Sequence, residues 1–488
     1  MAHKLPTVLE SIVEGRRGHL PEIRARIAHV DVDKLPRSER SLYESLGGGQ
    51  PGGGRGLNRF IMECKSSSPS LGMIREHYEP GAIASIYSRY AAGISVLCEP
   101  DKFGGDYNHL STVASISHLP VLCKDFVIDE VQIHAARYYG ADAILLMLSV
   151  LDDAEYRALA AEAERFGLDV LTEVIDEEEV ARANALGAKI IGVNHRNLHD
   201  LSIDLSRSGR LAELISADAV LVAESGVRDN ATVRALGGHS NGFLVGSQLT
   251  SQPDVDAAAR ELIYGGNKVC GLRTATAAQA AKAAGALYGG LIFEEASPRN
   301  VSRETATEII GAEPGLRYVA VSRRTSGWGE LIQPGIHAVQ VQAPLGETLA
   351  DERALLAGVR EEVGPEIQIW RAISMSAPQG AELAAALVET EAVDRLILDS
   401  GLGGTGTTFD WSTIPATVRE HALLAGGINL ANVREALAVG CAGLDLNSGV
   451  EYPAGAGEWA HHKDAGALRR IFHEIRSFTQ PHNTEGKA

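Results

Sequence analysis

Seven polar or charged residues in the first half of the chain stand where predicted strands end, and their types suit proton transfer. The apolar runs before them, such as FIMEC (60–64), are typical of parallel strands buried on both faces. Parallel strands that close into a barrel bring their carboxyl ends to one face, where converging ammonium and carboxylate groups can move protons and stabilise anions. A single charged residue at a strand end is more often a solvated rim residue, but repetition over five strands favours a shared site. The seven are Glu63, Lys65, Lys124, Glu173, Asn194, Glu224 and Ser225.

Short glycine turns follow the last two of these predicted strands. Gly226 lies in ESGV, and Gly246 and Ser247 lie in FLVGSQL. Backbone N–H groups exposed in such turns can cradle an anion, and the late-strand loops of a barrel form its usual phosphate site. Most glycine turns are only bends, but their position on both late strands predicts a phosphate-binding region.

In the second half, Cys270 ends the first predicted strand and Asp399 ends the sixth. A cysteine flanked by apolar residues is most often a small buried hydrophobic side chain. An acid at the same rim, followed by the glycine-rich segment GLGGTG (401–406), favours a proton-transfer pair instead.

A repeated sequence pattern indicates which elements position these residues. A helical stretch, a glycine, a small residue and an aliphatic run occur in that order around Gly93, Gly140, Gly187, Gly285 and Gly440. Glycine just past a helix end accepts the left-handed conformation, and an immediate strand makes each pattern a joint of a βα series.

Counting these units gives eight strands in each half. The first set is expected to end near Lys65, Glu99, Lys124, Leu148, Glu173, Asn194, Glu224 and Gly246. The second set is expected to end near Cys270, Phe293, Val321, Val341, Ala372, Asp399, Gly426 and Asn447. A doubly wound sheet usually stops at five or six strands, so the α/β pattern favours two consecutive (β/α)₈ TIM barrels.

Two segments lie outside the repeating units. Residues 5–46 are expected to form a helical extension before the first strand, and residues 47–56, GGGQPGGGRG, a flexible loop. The predicted domains are therefore 1–262, including the extension, and 267–480.

Composition narrows the classes of function. A formal net charge of −18 argues against nucleic-acid binding, although a local positive pocket can still take small anionic substrates. Five scattered cysteines without a CxxC pair support neither a disulfide framework nor a structural zinc site. Without a signal peptide or an apolar span, the sequence predicts a cytoplasmic protein that contacts neither nucleic acid nor membrane.

The motifs, taken in order, resemble two known families. Residues 5–260 resemble indole-3-glycerol phosphate synthase through ECKSSSPSLG, VLCKDFVID, ADAILLMLSVL, LTEV, GVNHRNL and AESGV. Residues 267–475 resemble phosphoribosylanthranilate isomerase through KVCGLR, YGGLIFEEASPR, LILDSGLGGTG, LLAGGI and LDLNSGVE. The order is that of the fused bifunctional enzyme of tryptophan biosynthesis.

The synthase resemblance implies a role for each matched residue. Lys124 would be the general acid in ring closure, and Lys65 would hold a substrate anion and assist dehydration. Glu173 would transfer a proton, while Glu63 would orient the lysines and the anilino nitrogen. The remaining matched residues would line the pocket (Asn194, Arg196, Glu224, Ser225) or bind the phosphate (Gly226, Gly246, Ser247). The implied reaction converts 1-(2-carboxyphenylamino)-1-deoxyribulose 5-phosphate to indole-3-glycerol phosphate without a cofactor or metal.

The isomerase resemblance implies an Amadori rearrangement of phosphoribosylanthranilate. Asp399 would be the general acid that opens the ribose ring, and Cys270 the base that removes the C2 proton. The other matched residues would hold the anthranilate carboxylate (Arg299) or the phosphate (Gly427, Ser448, Gly449).

The second half departs from the isomerase pattern at two strands. The family's Val-Gln-Leu-His-Gly segment is replaced by HAVQVQAPLGE, so that Gln342 stands at the position of the His. Period-two alternation places Gln340 and Gln342 on one face. The third strand, YVAVSRRTSGW, also differs but keeps an arginine at Arg323, a further candidate for substrate binding.

These departures leave alternatives to the bifunctional reading. The second barrel could be impaired, altered in substrate, or only a structural partner of the first, although retention of Cys270 and Asp399 argues against a mere scaffold. A flavin- or nicotinamide-dependent barrel is the least favoured alternative. The small phosphorylated substrates imply no macromolecular partner, and we expect a monomer.

Overall fold

The computed structural model describes residues 7–50, 56–69, 71–197, 200–401 and 408–480. The chain consists of two compact units that meet in sequence at Ala259/Arg260, and Thr479 and Gln480 belong to the first unit. Most of GLGGTG (401–406) and residues 51–55 of the predicted flexible loop lie outside the described residues.

The first unit contains a closed barrel of parallel strands. Within the described residues these strands are β1 (Arg59–Cys64), β2 (Gly93–Leu97), β3 (Val121–Lys124), β4 (Ala143–Met147), β5 (Asp169–Val174), β6 (Ile190–Asn194), β7 (Val220–Glu224) and β8 (Gly242–Val245). Each strand pairs with its neighbours in the chain, and β1 closes the barrel by pairing with both β2 and β8. Each strand ends within two residues of its predicted end.

Helices alternate with these strands. In chain order they are Thr7–Arg26, Leu42–Ser45, Pro80–Tyr87, Pro100–Phe103, Tyr107–Ile116, Glu130–Tyr138, Asp153–Arg165, Glu177–Ala185, Arg207–Ala212, Asn230–Leu236, Ser247–Thr250 and Val255–Tyr264. A 3₁₀ turn spans Val32–Lys34, and Ser67–Ser68 pairs with Gly72–Met73 in a small antiparallel ladder.

The helical extension packs against both ends of the first barrel. Leu42 and Leu46 join the buried core, and they lie beside the first residues of β2 and β8, Gly93 and Gly242. The helix Thr7–Arg26 lies at the opposite, carboxyl end of the strands, where its apolar side chains line a cavity. Burial of these leucines stabilises the contact by roughly 2 kcal/mol per side chain.

The second unit contains another closed parallel barrel. Its described strands are β9 (Lys268–Cys270), β10 (Tyr288–Ile292), β11 (Arg317–Ser322), β12 (Ile336–Val341), β13 (Gln368–Ser374), β14 (Arg395–Asp399), β15 (Ala422–Leu424) and β16 (Gly443–Leu446). Their order around the barrel is their order in the chain, and β9 pairs with β16. These strands also end within two residues of the predicted positions.

The second unit has its own set of helices. Its α-helices are Ala275–Ala284, Arg303–Ala312, Leu349–Val363, Gly380–Glu389, Ala416–Arg419, Val433–Ala438 and Ala465–Ser477. Its 3₁₀ turns are Trp328–Leu331, Trp411–Thr413, Ser448–Val450 and Gly457–Trp459. No described helix is long and apolar enough to cross a lipid bilayer.

One glycine of the repeated sequence pattern, Gly93, is explained by close packing and not by a left-handed helix cap. Gly140, Gly187, Gly285 and Gly440 have positive φ angles, as the sequence pattern predicts. Gly93 does not have a positive φ; it is the first residue of β2, and a Cβ there would lie 2.6 Å from the Cδ1 of Leu42. The prediction of a left-handed cap at Gly93 was therefore wrong, and close packing against the extension accounts for the glycine.

Candidate active sites

The carboxyl ends of the first barrel's strands surround a cavity of about 570 Å³. All eleven residues predicted for this barrel line it. They are Glu63, Lys65, Lys124, Glu173, Asn194, Arg196, Glu224, Ser225, Gly226, Gly246 and Ser247. Each of these residues lies at or just after the end of a strand, and the strands close into a barrel. They therefore converge on one cavity.

Two lysine–glutamate pairs define the charged floor of this cavity. Lys65 Nζ lies 2.7 Å from Glu63 Oε1, and Lys124 Nζ lies 3.3 Å from Glu224 Oε2. Burial opposes the charged form of Lys124, but the carboxylates of Glu224, Glu63 and Glu173 outweigh it and raise the pKa of Lys124. Burial likewise opposes ionisation of Glu63, yet the charges of Lys65 and Lys124 hold its pKa below the usual value. Lys124 is therefore a cation at neutral pH, and Glu63 is an anion.

Glu224 differs from the other glutamates of the cavity. Burial raises its pKa to about 7, with the charge of Glu173 adding to the effect and that of Lys124 opposing it. Its Oε2 accepts from Lys124, whereas its Oε1 has no hydrogen-bond partner among the described residues. A carboxyl group whose pKa lies near neutral pH can gain or lose a proton readily at that pH.

Asn194 fixes the position of a second carboxylate. Its Nδ2 donates to Glu173 Oε1 over 3.0 Å, and its Oδ1 accepts from the backbone N–H of Arg196 over 3.0 Å. Because the Oδ1 is engaged by a donor, the amide must present its N–H to Glu173. Asn194 thus holds Glu173 at the cavity wall and starts the loop that carries Arg196.

The predicted phosphate residues follow β7 and β8, which are neighbouring strands of the barrel. Ser225 and Gly226 both have positive φ, at 66° and 81°. A Cβ on Gly246 would lie 2.5 Å from Glu63 Oε1 and 3.1 Å from Lys65 Nζ. Only glycine therefore leaves room at this position for the ion pair between Glu63 and Lys65. Gly246 therefore has a packing role beside Lys65 that the sequence analysis did not identify.

The apolar wall of the first cavity was not predicted from the sequence. Its members come from the N-terminal helix, the strand interiors and the loops: Val8, Leu9, Ile12, Leu71, Phe103, Phe126, Leu145, Met147, Leu201 and Ile203. The Val8/Leu9/Ile12 spacing is that of one helix face and was a usable signal. The helix is anchored by Arg16, whose Nη2 lies 2.5 Å from an Oδ2 of Asp125, the residue after Lys124.

The second barrel has a cavity of about 360 Å³ at the carboxyl ends of its strands. Six of the seven predicted isomerase residues line it, namely Cys270, Arg299, Arg323, Asp399, Gly427 and Ser448. Gly449 is not part of the lining. A Cβ there would lie 2.0 Å from the carbonyl oxygen of Ile428, so its glycine is explained by close packing of two loops.

Burial governs the two predicted proton-transfer groups of this cavity. It raises the pKa of the Cys270 thiol, against the opposing charge of Lys268. It also raises the pKa of Asp399, whose Oδ1 accepts from the backbone N–H of Ser400 over 2.7 Å. A carboxyl group biased towards its protonated form can serve as an acid.

Arg299 already holds a carboxylate within the protein. Its Nε and Nη2 donate to the two oxygens of Glu451 over 2.8 and 2.9 Å. Lys463 lies 2.5 Å from the same carboxylate, and burial lowers the pKa of Lys463 to about 8. The expected contact between Arg299 and the anthranilate carboxylate therefore needs another face of the guanidinium or displacement of Glu451.

Several polar residues of the second site were missed by sequence analysis. Glu294 accepts from the Ser322 hydroxyl over 2.6 Å and from the Arg323 backbone over 2.5 Å. Lys268 is fully buried beneath the cavity and lies 2.7 Å from Asp445. The sequence did contain a signal for Lys268, because it stands two residues before Cys270 on the same strand and so shares its face.

Two barrels, each with acid–base side chains at the carboxyl ends of its strands, define a (β/α)₈ enzyme with two separate sites. The family description of indole-3-glycerol phosphate synthase matches residues 9–262, and that of N-(5′-phosphoribosyl)anthranilate isomerase matches residues 267–463. The chain belongs to the TrpCF family of bifunctional tryptophan biosynthesis enzymes. Its N-terminal region is the synthase and its C-terminal region the isomerase, which confirms the resemblance.

Whole-length relatives support the same assignment. The tryptophan biosynthesis protein TrpCF of Corynebacterium glutamicum is 74% identical over 477 residues, which cover 98% of this chain and 99% of that protein. The protein of the same name from Salmonella typhi is 43% identical over 450 residues, covering 91% of this chain and 94% of that protein. The fused order of the two domains is thus shared with these relatives.

Proposed function

We propose that the two sites act in sequence on phosphorylated derivatives of anthranilate, with the second barrel supplying the substrate of the first. The isomerase, assigned to residues 267–480, converts N-(5-phosphoribosyl)anthranilate to 1-(2-carboxyphenylamino)-1-deoxyribulose 5-phosphate. The synthase, assigned to residues 1–262, then forms indole-3-glycerol phosphate from it by cyclisation, decarboxylation and dehydration. An impaired or purely structural second barrel is not favoured, because its acid, its base and its cavity are all present.

In the isomerase, Asp399 delivers a proton to the ribose ring oxygen, and Cys270 removes the proton from C2 of the opened Schiff base. The raised pKa of Asp399, caused by burial, supports its role as the acid. Burial raises the pKa of Cys270, and the charge of Lys268 opposes that rise, so Lys268 is the group that would stabilise a thiolate at this position. Ser448 and Gly427 line the cavity and would bind the phosphate, with Gly449 supporting the loop from outside.

In the synthase, Lys124 is the general acid that promotes ring closure, and Lys65 holds a substrate anion and assists dehydration. Glu63 orients Lys65, and Glu173 and Glu224 transfer protons. Arg196, Ser225, Gly226, Gly246 and Ser247 complete the substrate and phosphate contacts. The proposed chemistry needs no cofactor or metal, because formation of the aromatic indole ring drives the loss of carbon dioxide.

The apolar wall supports this substrate class for the first site. Phe126 and Met147 face the same cavity as the charged floor, so the cavity has an apolar side for an aromatic ring and a polar side for anions. We further propose that the chain acts as a monomer, because each described cavity is lined by residues of a single unit of the chain. The cytoplasmic location expected from the sequence is part of the same proposal. The observation that carries the proposal is the convergence of Lys124, Lys65 and Glu224 in one cavity.

A reciprocal pair of variants tests the assignment. Lys124→Ala is expected to lower synthase turnover on supplied 1-(2-carboxyphenylamino)-1-deoxyribulose 5-phosphate by roughly 10²–10⁴-fold, the range for loss of a general acid. Isomerase turnover of the same preparation should stay close to that of the parent protein. Asp399→Asn should produce the opposite pattern. Equal loss of both activities in either folded variant would overturn the assignment of the sites to separate barrels.

A further inference from the structure

Two buried side chains and one half-buried side chain of the second barrel form a hydrogen-bonded series that ends in the isomerase cavity. Lys268 Nζ donates to Gln340 Oε1 over 2.8 Å, and Gln340 Nε2 donates to Gln342 Oε1 over 2.9 Å. Lys268 also donates to Asp445 Oδ2 over 2.7 Å. We call Lys268, Gln340 and Gln342 the amide relay.

The direction of the amide relay follows from the chemistry of its first member. A lysine ammonium can only donate hydrogen bonds, so Gln340 must turn its oxygen towards Lys268 and its N–H₂ towards Gln342. Gln342 must then accept with its oxygen, which leaves its own N–H₂ facing away from the relay. The placement of oxygen and nitrogen in both amides is therefore fixed by the lysine charge.

The free end of the relay lies at the cavity. Gln340 and Gln342 both line it, together with Cys270 and Asp399. Gln342 is half-buried, and its Nε2 has no acceptor among the described residues. Lys268 stays charged because Asp445 raises its pKa against the effect of burial. The relay thus keeps one orientation over the pH range in which the enzyme would work.

We propose, resting on the isomerase function proposed above, that the amide relay makes Gln342 an obligate hydrogen-bond donor to an oxygen of the sugar portion of the isomerase substrate. Gln342 then binds substrate directly, while Lys268 and Gln340 are positioning residues that act through it. The relay gives the Gln342 departure from the family's His a function, because both side chains can donate from this strand position. No proton leaves Gln342, so its contribution is to bind and orient an acceptor oxygen as the ring opens.

Matched substitutions at Gln342 distinguish loss of its hydrogen-bond donor from a change in the size of its side chain. Gln342→Glu keeps the size but presents an acceptor, and Gln342→Met keeps the length without any polar atom. Each is expected to lower isomerase kcat/KM by roughly ten- to a hundredfold, the range for loss of a hydrogen bond that involves a developing charge. Gln342→His restores a donor and is expected to remain within about threefold of the parent protein by the same reasoning. Synthase activity of each preparation reports correct folding of the chain.

A substitution at Gln340 tests whether this residue positions Gln342 or has only a structural role. Gln340→Glu still accepts from Lys268 but cannot donate, so Gln342 should rotate its amide and turn its oxygen to the cavity. Isomerase kcat/KM should then fall as far as in Gln342→Glu, and adding Gln342→His to Gln340→Glu should recover most of the loss, because His can present a donor without the relay. Parent-like activity of Gln342→Glu, or no recovery in the double variant, would overturn the proposal.

Discussion

Replacing Glu224 by glutamine removes a carboxyl group of the synthase cavity whose pKa lies near neutral pH. Burial raises the pKa of Glu224 to about 7, and in the proposed mechanism its ionised form accepts a proton from the substrate. At one pH unit below that value, about one carboxyl group in eleven is ionised. We therefore expect synthase kcat/KM of the parent protein to rise roughly tenfold from pH 6 to a plateau above pH 8.

In Glu224→Gln this rise should be absent, because the amide keeps the shape and can still accept from Lys124 but does not titrate. The plateau rate should fall by roughly 10²–10⁴-fold, the range for general acid–base catalysis. The assay follows indole-3-glycerol phosphate formation from supplied 1-(2-carboxyphenylamino)-1-deoxyribulose 5-phosphate between pH 5.5 and 9.

Glu179 provides a matched control for this experiment. Burial also raises its pKa to about 7, but it bonds the backbone of Ile175 and does not line the cavity. Glu179→Gln should therefore keep the parent pH profile. A flat profile in the parent protein, or an unchanged rise in Glu224→Gln, would refute the assignment of this proton transfer to Glu224.

Three further substitutions have defined outcomes. Cys270→Ser should lower isomerase kcat by roughly 10²–10⁴-fold with little change in KM, and synthase turnover should persist; a full isomerase rate would exclude Cys270 as the base. Gly192→Ala places a Cβ 2.0 Å from Glu224 Oε1, so synthase activity should fall while isomerase activity stays at the level of the parent protein. A variant with the parent level of synthase activity would contradict this packing argument. Arg16→Met removes the ion-pair partner of the buried Asp125, which then keeps only neutral donors such as Tyr107, and is expected to lower the unfolding free energy by about 3–5 kcal/mol. It should also raise the synthase KM, because the helix that lines the cavity is loosened.

The barrel and its strand ends were predictable because they depend on local and repeated signals. Apolar runs of strand length and the glycines after helices recur through both halves, so each strand end was placed within two residues of its observed position. Charged residues at those ends had to converge once the strands closed into a barrel, which is why Lys124 and Glu224 could be expected in one cavity.

Other features depend on contacts between distant parts of the chain and left no local signal. The glycine at position 93 is required by Leu42 of the extension, which is 51 residues earlier in the printed sequence. The ion pair between Arg299 and Glu451 joins two loops of one barrel, so the sequence suggested an arginine free for substrate. The direction of the amide relay follows only from the three-dimensional placement of Lys268.

The most direct test of the two-site assignment is a coupled assay of the parent protein with N-(5-phosphoribosyl)anthranilate as the only substrate. Loss of its fluorescence and formation of indole-3-glycerol phosphate are recorded separately. Two active barrels predict that the fluorescence falls and that indole-3-glycerol phosphate then accumulates from the intermediate. Persistence of the fluorescence, in a preparation that converts supplied 1-(2-carboxyphenylamino)-1-deoxyribulose 5-phosphate, would contradict an active isomerase in the second barrel.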